Sequence, residues 1–105
     1  MLAICRMIKI MKKKYTVKRS PRFERELKKA QKRGLDVNEA EALIVKLSKG
    51  ERLEPNRKDH ALHGEYKGYR ECHINPDWLL VYKKFEDKLI LFLYRTGTHS
   101  DLFKS

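Results

Sequence analysis

The stretch Tyr69-Arg-Glu-Cys-His-Ile-Asn-Pro-Asp-Trp-Leu-Leu-Val-Tyr-Lys-Lys-Phe-Glu-Asp-Lys-Leu-Ile-Leu-Phe-Leu-Tyr-Arg-Thr96 decides the fold. It is rich in β-branched and aromatic residues and is cut twice by turn chemistry, at Asn75-Pro76-Asp77 and at Phe85–Lys88. Three strands result: Tyr69–Ile74, Leu79–Lys84 and Leu89–Thr96. The unbroken apolar run Leu89–Leu93 predicts a strand buried on both faces, a central one against which other elements pack.

Upstream of this stretch the pattern changes from strand to helix. Ser20 offers an N-cap hydroxyl and Pro21 a pre-set first helical residue, followed by Phe23, Leu27 and Ala30 at helical spacing and Gly34 as a stop. The first helix therefore spans about Pro21–Arg33. A second opens with Asp36 and Glu39 in capping-box spacing, carries Val37, Ala40, Ile44 and Leu47 on one face, and ends near Gly50. Ahead of both, Tyr15–Arg19 alternates in character and favours a strand. The polar segment Glu51–Lys58 reads as a loop leading to the short run Asp59–Gly64. The order β-α-α-β-β-β defines an α+β fold in which a helix hairpin lies against a sheet.

A chain of 105 residues, 41% of them hydrophobic, suits one domain with a single core. Met11 looks like an ordinary start, so residues 1–10 read as an N-terminal extension and residues 11–105 as the domain. Cys5 and Cys72 are far apart and show no Cys-x-x-Cys spacing, which points to free thiols in a reducing compartment. The N-terminal run is too short and too interrupted by Arg6 and Lys9 for a signal peptide, so the expected location is the cytoplasm. Lys and Arg number 25 against 14 Asp and Glu, a formal charge of +11. That surplus favours nucleic acid or an acidic protein as partner, although it can also serve only solubility.

All four histidines, His60, His63, His73 and His99, fall after Asp59, together with Asp77, the only Trp (Trp78) and Arg95. Histidine exchanges protons near neutral pH, so such a cluster in a basic domain suggests acid/base chemistry on a polyanion. RNA fits, because its own 2′-hydroxyl can attack the neighbouring phosphate without a metal once a base removes its proton. The reaction needs a base, an acid for the leaving 5′-oxygen and a cation for the phosphoryl oxygens. Arg95, with its permanent charge and forked donors, suits the last task. Trp78 and Phe103 offer flat faces for an unstacked base, although Trp78 serves equally well as a buried support. Arg22, Arg25, Lys29 and Lys32 align along the first helix as a stripe that can follow a phosphate backbone or simply be a solvated face. His73-x-x-x-Asp77 has the spacing of metal ligands one helical turn apart, but Pro76 disfavours helix there, and no cysteine pair or His-Glu-x-x-His motif is present. No metal and no cofactor are expected.

Taken together, Asp59-His-Ala-Leu-His-Gly64, Tyr66-Lys-Gly-Tyr-Arg-Glu-Cys-His-Ile-Asn-Pro-Asp-Trp-Leu-Leu-Val-Tyr82 and Arg95-Thr-Gly-Thr-His-Ser-Asp-Leu-Phe103 resemble the YafQ-type toxins of the RelE/ParE superfamily. The likeness runs from about Lys14 to the C-terminus. It implies a RelE-like fold: an N-terminal strand and helix hairpin on a twisted, mainly antiparallel sheet. It also implies a toxin that enters the ribosomal A site, cleaves mRNA without a metal, and is silenced by a cognate antitoxin. An acidic, partly disordered antitoxin would complement the basic chain. Carried over by motif, His60, His73, Asp77, Arg95 and His99 are the catalytic set, with His99 and His60 the principal acid and base, His73 and Asp77 assisting, and Arg95 on the phosphate. Phe103 and Trp78 would face bases. His63 falls at a variable position and is left out. Two rivals remain at this point: a ParE-like gyrase poison, against which the histidines argue, and an inactive relic that binds only RNA or antitoxin.

Overall fold

The computed structural model describes residues 14–102. The expectations placed on residues 1–10 and on Phe103 lie outside the described residues. The described chain runs β1 (Thr16–Arg19), α1 (Pro21–Lys32), α2 (Val37–Ser48), β2 (His60–Ala61), β3 (Arg70–Asn75), β4 (Trp78–Phe85), β5 (Ile90–Gly97) and α3 (His99–Leu102), with single 3-10 turns at Pro55–Arg57 and Gly64–Tyr66. The sheet order is β1-β5-β4-β3-β2, with β1 parallel to β5 and every other pairing antiparallel. The α+β architecture expected from the strand-rich second half is the one observed.

Local chemistry sets both helices. Ser20 Oγ accepts from the Phe23 N–H at 2.9 Å and donates to the Tyr94 carbonyl at 2.7 Å, so one side chain starts α1 and ties it to β5. Asp36 caps α2 by accepting from the Asn38 N–H at 2.9 Å. Gly34 ends the first helix with φ near +91°, a value that glycine adopts without strain. Phe23, Leu27 and Ala30 of α1 and Ala40, Leu43, Ile44 and Leu47 of α2 are all buried, against Cys72, Ile74, Trp78, Leu80, Tyr82, Leu91 and Leu93 on one face of the sheet. The opposite face carries a smaller apolar cluster of Leu79, Val81 and Leu102, edged by Leu62, Tyr69 and Tyr94.

The structure corrects the sequence reading in three places. The strand buried on both faces is β4, from Trp78 through Tyr82, whereas β5 alternates and leaves Ile90, Phe92 and Tyr94 only partly covered. The reason is that, among the described residues, no long helix lies over the second face. Leu89 is not in a strand: it turns the chain with φ near +51° and is 38% exposed. β2 and α3 went unread because they hold two and four residues and depend on distant partners. No helix among the described residues is long and apolar enough to cross a membrane.

Candidate active site

Strand alternation decides which side chains share the face opposite the helices. Cys72 and Ile74 of β3 enter the helix-covered core, so Glu71 and His73, between and beside them, project from the other side. His60 pairs with Glu71 across β2–β3, and His73 pairs with Leu79, which in turn pairs with Gly97 just ahead of His99. Three histidines that are scattered in sequence therefore converge. The His73 and His99 rings lie 6.0 Å apart, edge to face. His60 Nε2 is 3.4 Å from Glu71 Oε1. Its Nδ1 is 2.7 Å from the Lys58 carbonyl, and because a carbonyl only accepts, that nitrogen carries the hydrogen.

Each histidine is held by a local device. Ahead of His60, Asp59 accepts from Tyr82 Oη at 2.7 Å and from Arg70 Nε at 3.1 Å, which pins β2 to the sheet. Burial and the bond to Asp59 both push the Tyr82 phenol well above its ordinary range, so it stays a proton donor. Behind His73, Arg57 Nη1 donates to the His73 and Ile74 carbonyls at a strand irregularity between His73 and Asn75. His99 sits between Thr98 and Asp101, which cap each other: the Thr98 N–H donates to Asp101 Oδ2 at 3.1 Å and the Asp101 N–H to Thr98 Oγ1 at 3.2 Å. The Thr98 N–H and Arg33, 3.0 Å away, hold the Asp101 carboxyl below the usual carboxylate range. A Cβ on Gly97 would stand 2.9 Å from Asp101 Cβ, so this close turn requires glycine.

Arg95 departs from expectation. Rather than presenting an open cation, it is only 6% exposed and donates to Glu26 Oε2 through Nη2 at 2.7 Å and Nε at 3.2 Å. It also donates to the Leu102 and Asp101 carbonyls, each at 3.3 Å, at the end of α3. Burial opposes its charge, but hydrogen bonds with Glu26 and Tyr66 outweigh that and raise its pKa. Arg95 thus clamps the His99 segment to α1. Glu26 completes the clamp by accepting from the Thr96 N–H at 3.1 Å.

Of the two uses of Trp78, support is the one observed: it is 1% exposed in the helix-side core and offers no face to a base. Asp77 is exposed in the Asn75–Asp77 turn, where its N–H donates to Asn75 Oδ1 at 3.0 Å. Arg22 and Lys29 border a cleft that also includes Arg33, Arg95 and Thr98, while Arg25 stands outside it. His63 is exposed and starts the 3-10 turn Gly64–Tyr66. Sequence reasoning missed Glu71, which is 3% exposed with Oε2 lacking a hydrogen-bond partner. Its signal was available: Glu71 and His73 are two apart in a strand and share a face. Among the described residues no group of three His, Cys, Asp or Glu is arranged to hold a metal ion.

A helix hairpin on one face of a mixed five-stranded sheet, with histidines gathered on the other, defines an α+β protein of the RelE-like class. The family model for the YafQ bacterial toxin of type II toxin–antitoxin systems matches residues 15–104. The mRNA interferase toxin YafQ of Escherichia coli K12 is 45% identical over 85 residues, covering 80% of this chain and 90% of that protein. The E. coli DinJ–YafQ toxin–antitoxin complex matches at a TM-score of 0.78 and 38% identity, over 86% of this chain and 98% of the other. A metal-bound toxin from Helicobacter pylori matches at 0.79 and 40% identity, over 85% and 99%. The chain belongs to the YafQ family of bacterial type II toxins.

Proposed function

We propose that this toxin acts in the cytoplasm as an endoribonuclease, cutting mRNA in the ribosomal A site, with residues 11–105 as one catalytic domain. The observation that carries the reading is the convergence of His60, His73 and His99 with Glu71 on the face left uncovered by the helices. In the reaction a base takes the proton of the 2′-hydroxyl, the 2′-oxygen bonds to phosphorus, and the bond to the 5′-oxygen breaks as an acid protonates it. The products are a 2′,3′-cyclic phosphate and a 5′-hydroxyl. His99 and His60 share the two proton transfers, as histidine suits either direction. His73, whose ring stands against His99, and Asp77 assist, and the Lys58 carbonyl orients His60 through Nδ1, which leaves Nε2 for the proton transfer. No metal is needed for these steps.

Arg95 serves here as a positioning residue, since its donors are spent on Glu26 and the end of α3. Arg22, Arg25 and Lys29, all exposed on α1, contact the RNA backbone, and Phe103 faces a base. An acidic antitoxin neutralises the chain, in line with its charge of +11 and with the antitoxin-bound structure of the relative. The test is mRNA cleavage by purified protein on translating ribosomes with EDTA present. Cleavage leaving cyclic phosphate ends, and falling at least about a hundredfold in His99→Ala, supports the reading. No cleavage, EDTA-sensitive cleavage, or equal cleavage by His99→Ala overturns it.

A further inference from the structure

The uncovered face continues beyond the histidines. From Leu79, level with His73 and Gly97, β4 runs to Lys83, level with Phe92. At roughly 3.3 Å per residue this is a distance of about 13 Å. At the far end four rings gather: Tyr69 and Tyr94 with centroids 5.0 Å apart, Tyr66 6.3 Å from Tyr94, and Phe92 6.1 Å from Tyr94 with planes 27° apart. All four are partly exposed. Lys83 Nζ stands 5.5 Å from the centre of the Tyr69 ring, and Lys18, exposed on β1, pairs with Phe92.

Tyr69 and Tyr94 pack inward on the Leu79–Val81–Leu102 cluster, which accounts for one side of each ring. Core packing alone does not account for the other. On the helix side of the same strands Leu91 and Leu93 are fully covered, whereas on this face Leu102 of α3, with Leu79 and Val81, packs against the rings and leaves them partly exposed. Half-exposed aromatic rings beside fixed ammonium groups are the means by which single-stranded nucleic acid is held: bases stack on rings and phosphates meet cations. Glu65 borders the recess formed by Tyr66, Tyr69 and Tyr94, and repels phosphate there, which directs the backbone toward Lys83.

We propose that Tyr66, Tyr69, Phe92 and Tyr94 form a stacking platform for unpaired bases of the mRNA strand under cleavage, with Lys83 and Lys18 on its phosphates. The proposal rests on the ribonuclease reading and deepens it. It places bases a few nucleotides from the scissile phosphate, on the same face and joined to it by β4.

The probe is a fluorescent, 2′-O-methylated oligoadenylate, which lacks the attacking hydroxyl and cannot be cut. Tyr69→Leu and Tyr94→Leu, which still cover Leu79 and Val81, are each expected to weaken its binding about tenfold, while Tyr94→Phe binds as the wild type does. Affinity for ribosomes free of mRNA is expected to stay unchanged in all three. Equal binding of the oligoadenylate by the leucine variants overturns the platform and leaves the ribonuclease reading standing. Failure of the wild type to bind it also overturns the platform, and the ribosome cleavage assay then decides separately whether the ribonuclease reading fails. Weaker binding of the leucine variants to mRNA-free ribosomes, with oligoadenylate binding intact, assigns the rings to ribosomal RNA and overturns the proposal as well.

Discussion

On the helix-covered face Phe23, Leu47, Ile74, Trp78 and Leu91 interlock with almost no exposure, whereas on the opposite face His60 and His99 are exposed, His73 is half-buried, and tyrosines stand half-covered. Both faces are made by the same strands, so alternation along β3, β4 and β5 sorts stability to one side and reactive groups to the other. Between them lies a hinge of charge, Arg95 with Glu26, which belongs to neither class and joins both. The difference teaches where substitutions should act: on stability behind the sheet and at the small Leu79–Val81–Leu102 cluster, on activity at the exposed histidines in front of it, and on both at the hinge.

The largest stability effect belongs behind the sheet. Phe23→Ala removes a fully buried ring and is expected to cost about 3–5 kcal/mol in urea unfolding. Next comes Glu26→Gln, which leaves the Arg95 guanidinium buried beside a neutral amide. A loss of roughly 2–3 kcal/mol is expected, below that of a fully buried pair because Glu26 is partly exposed, and mRNA cleavage should fall with it as the His99 segment loosens. If stability falls and cleavage does not, the hinge belongs to the covered face alone.

Gly97→Ala is expected to cost about 1–2 kcal/mol, because Asp101 must move to admit the methyl group, and to lower cleavage more than stability. The smallest effect is one of pH. The Asp101 carboxyl has a depressed pKa when folded, so its contribution is present above the unfolded value and is lost as pH falls through the folded one. Protection of the Thr98 and Asp101 amides, taken relative to their intrinsic exchange at each pH, should therefore fall under acid before that of the core amides, and Asp101→Asn should abolish that difference.

The legibility of the molecule follows from the range of the forces involved. Ser20-Pro21, Gly34 and the spacing of Phe23, Leu27 and Ala30 act within a few residues, so both helices could be read directly. The three long strands were readable from composition and turns. β2 and α3 were not, because their bonds go to β3 and to Arg95. In the site, residue type exposed His60, His73 and His99, while Arg95 looked free because its partner, Glu26, lies far away in sequence. Glu71 and the aromatic platform stayed hidden for a related reason: an acid or a tyrosine in a strand is unremarkable until register shows which face it shares.

The central claim, that the uncovered face carries chemistry and the covered face carries stability, is tested most directly by His73→Ala, measured for cleavage rate on ribosomes and for thermal unfolding in the same preparation. His73 is half-buried and contacts His99, so its loss is expected to slow cleavage at least about a hundredfold while leaving the unfolding midpoint nearly unchanged. An unchanged rate, or a rate that falls only in step with lost stability, would contradict the account.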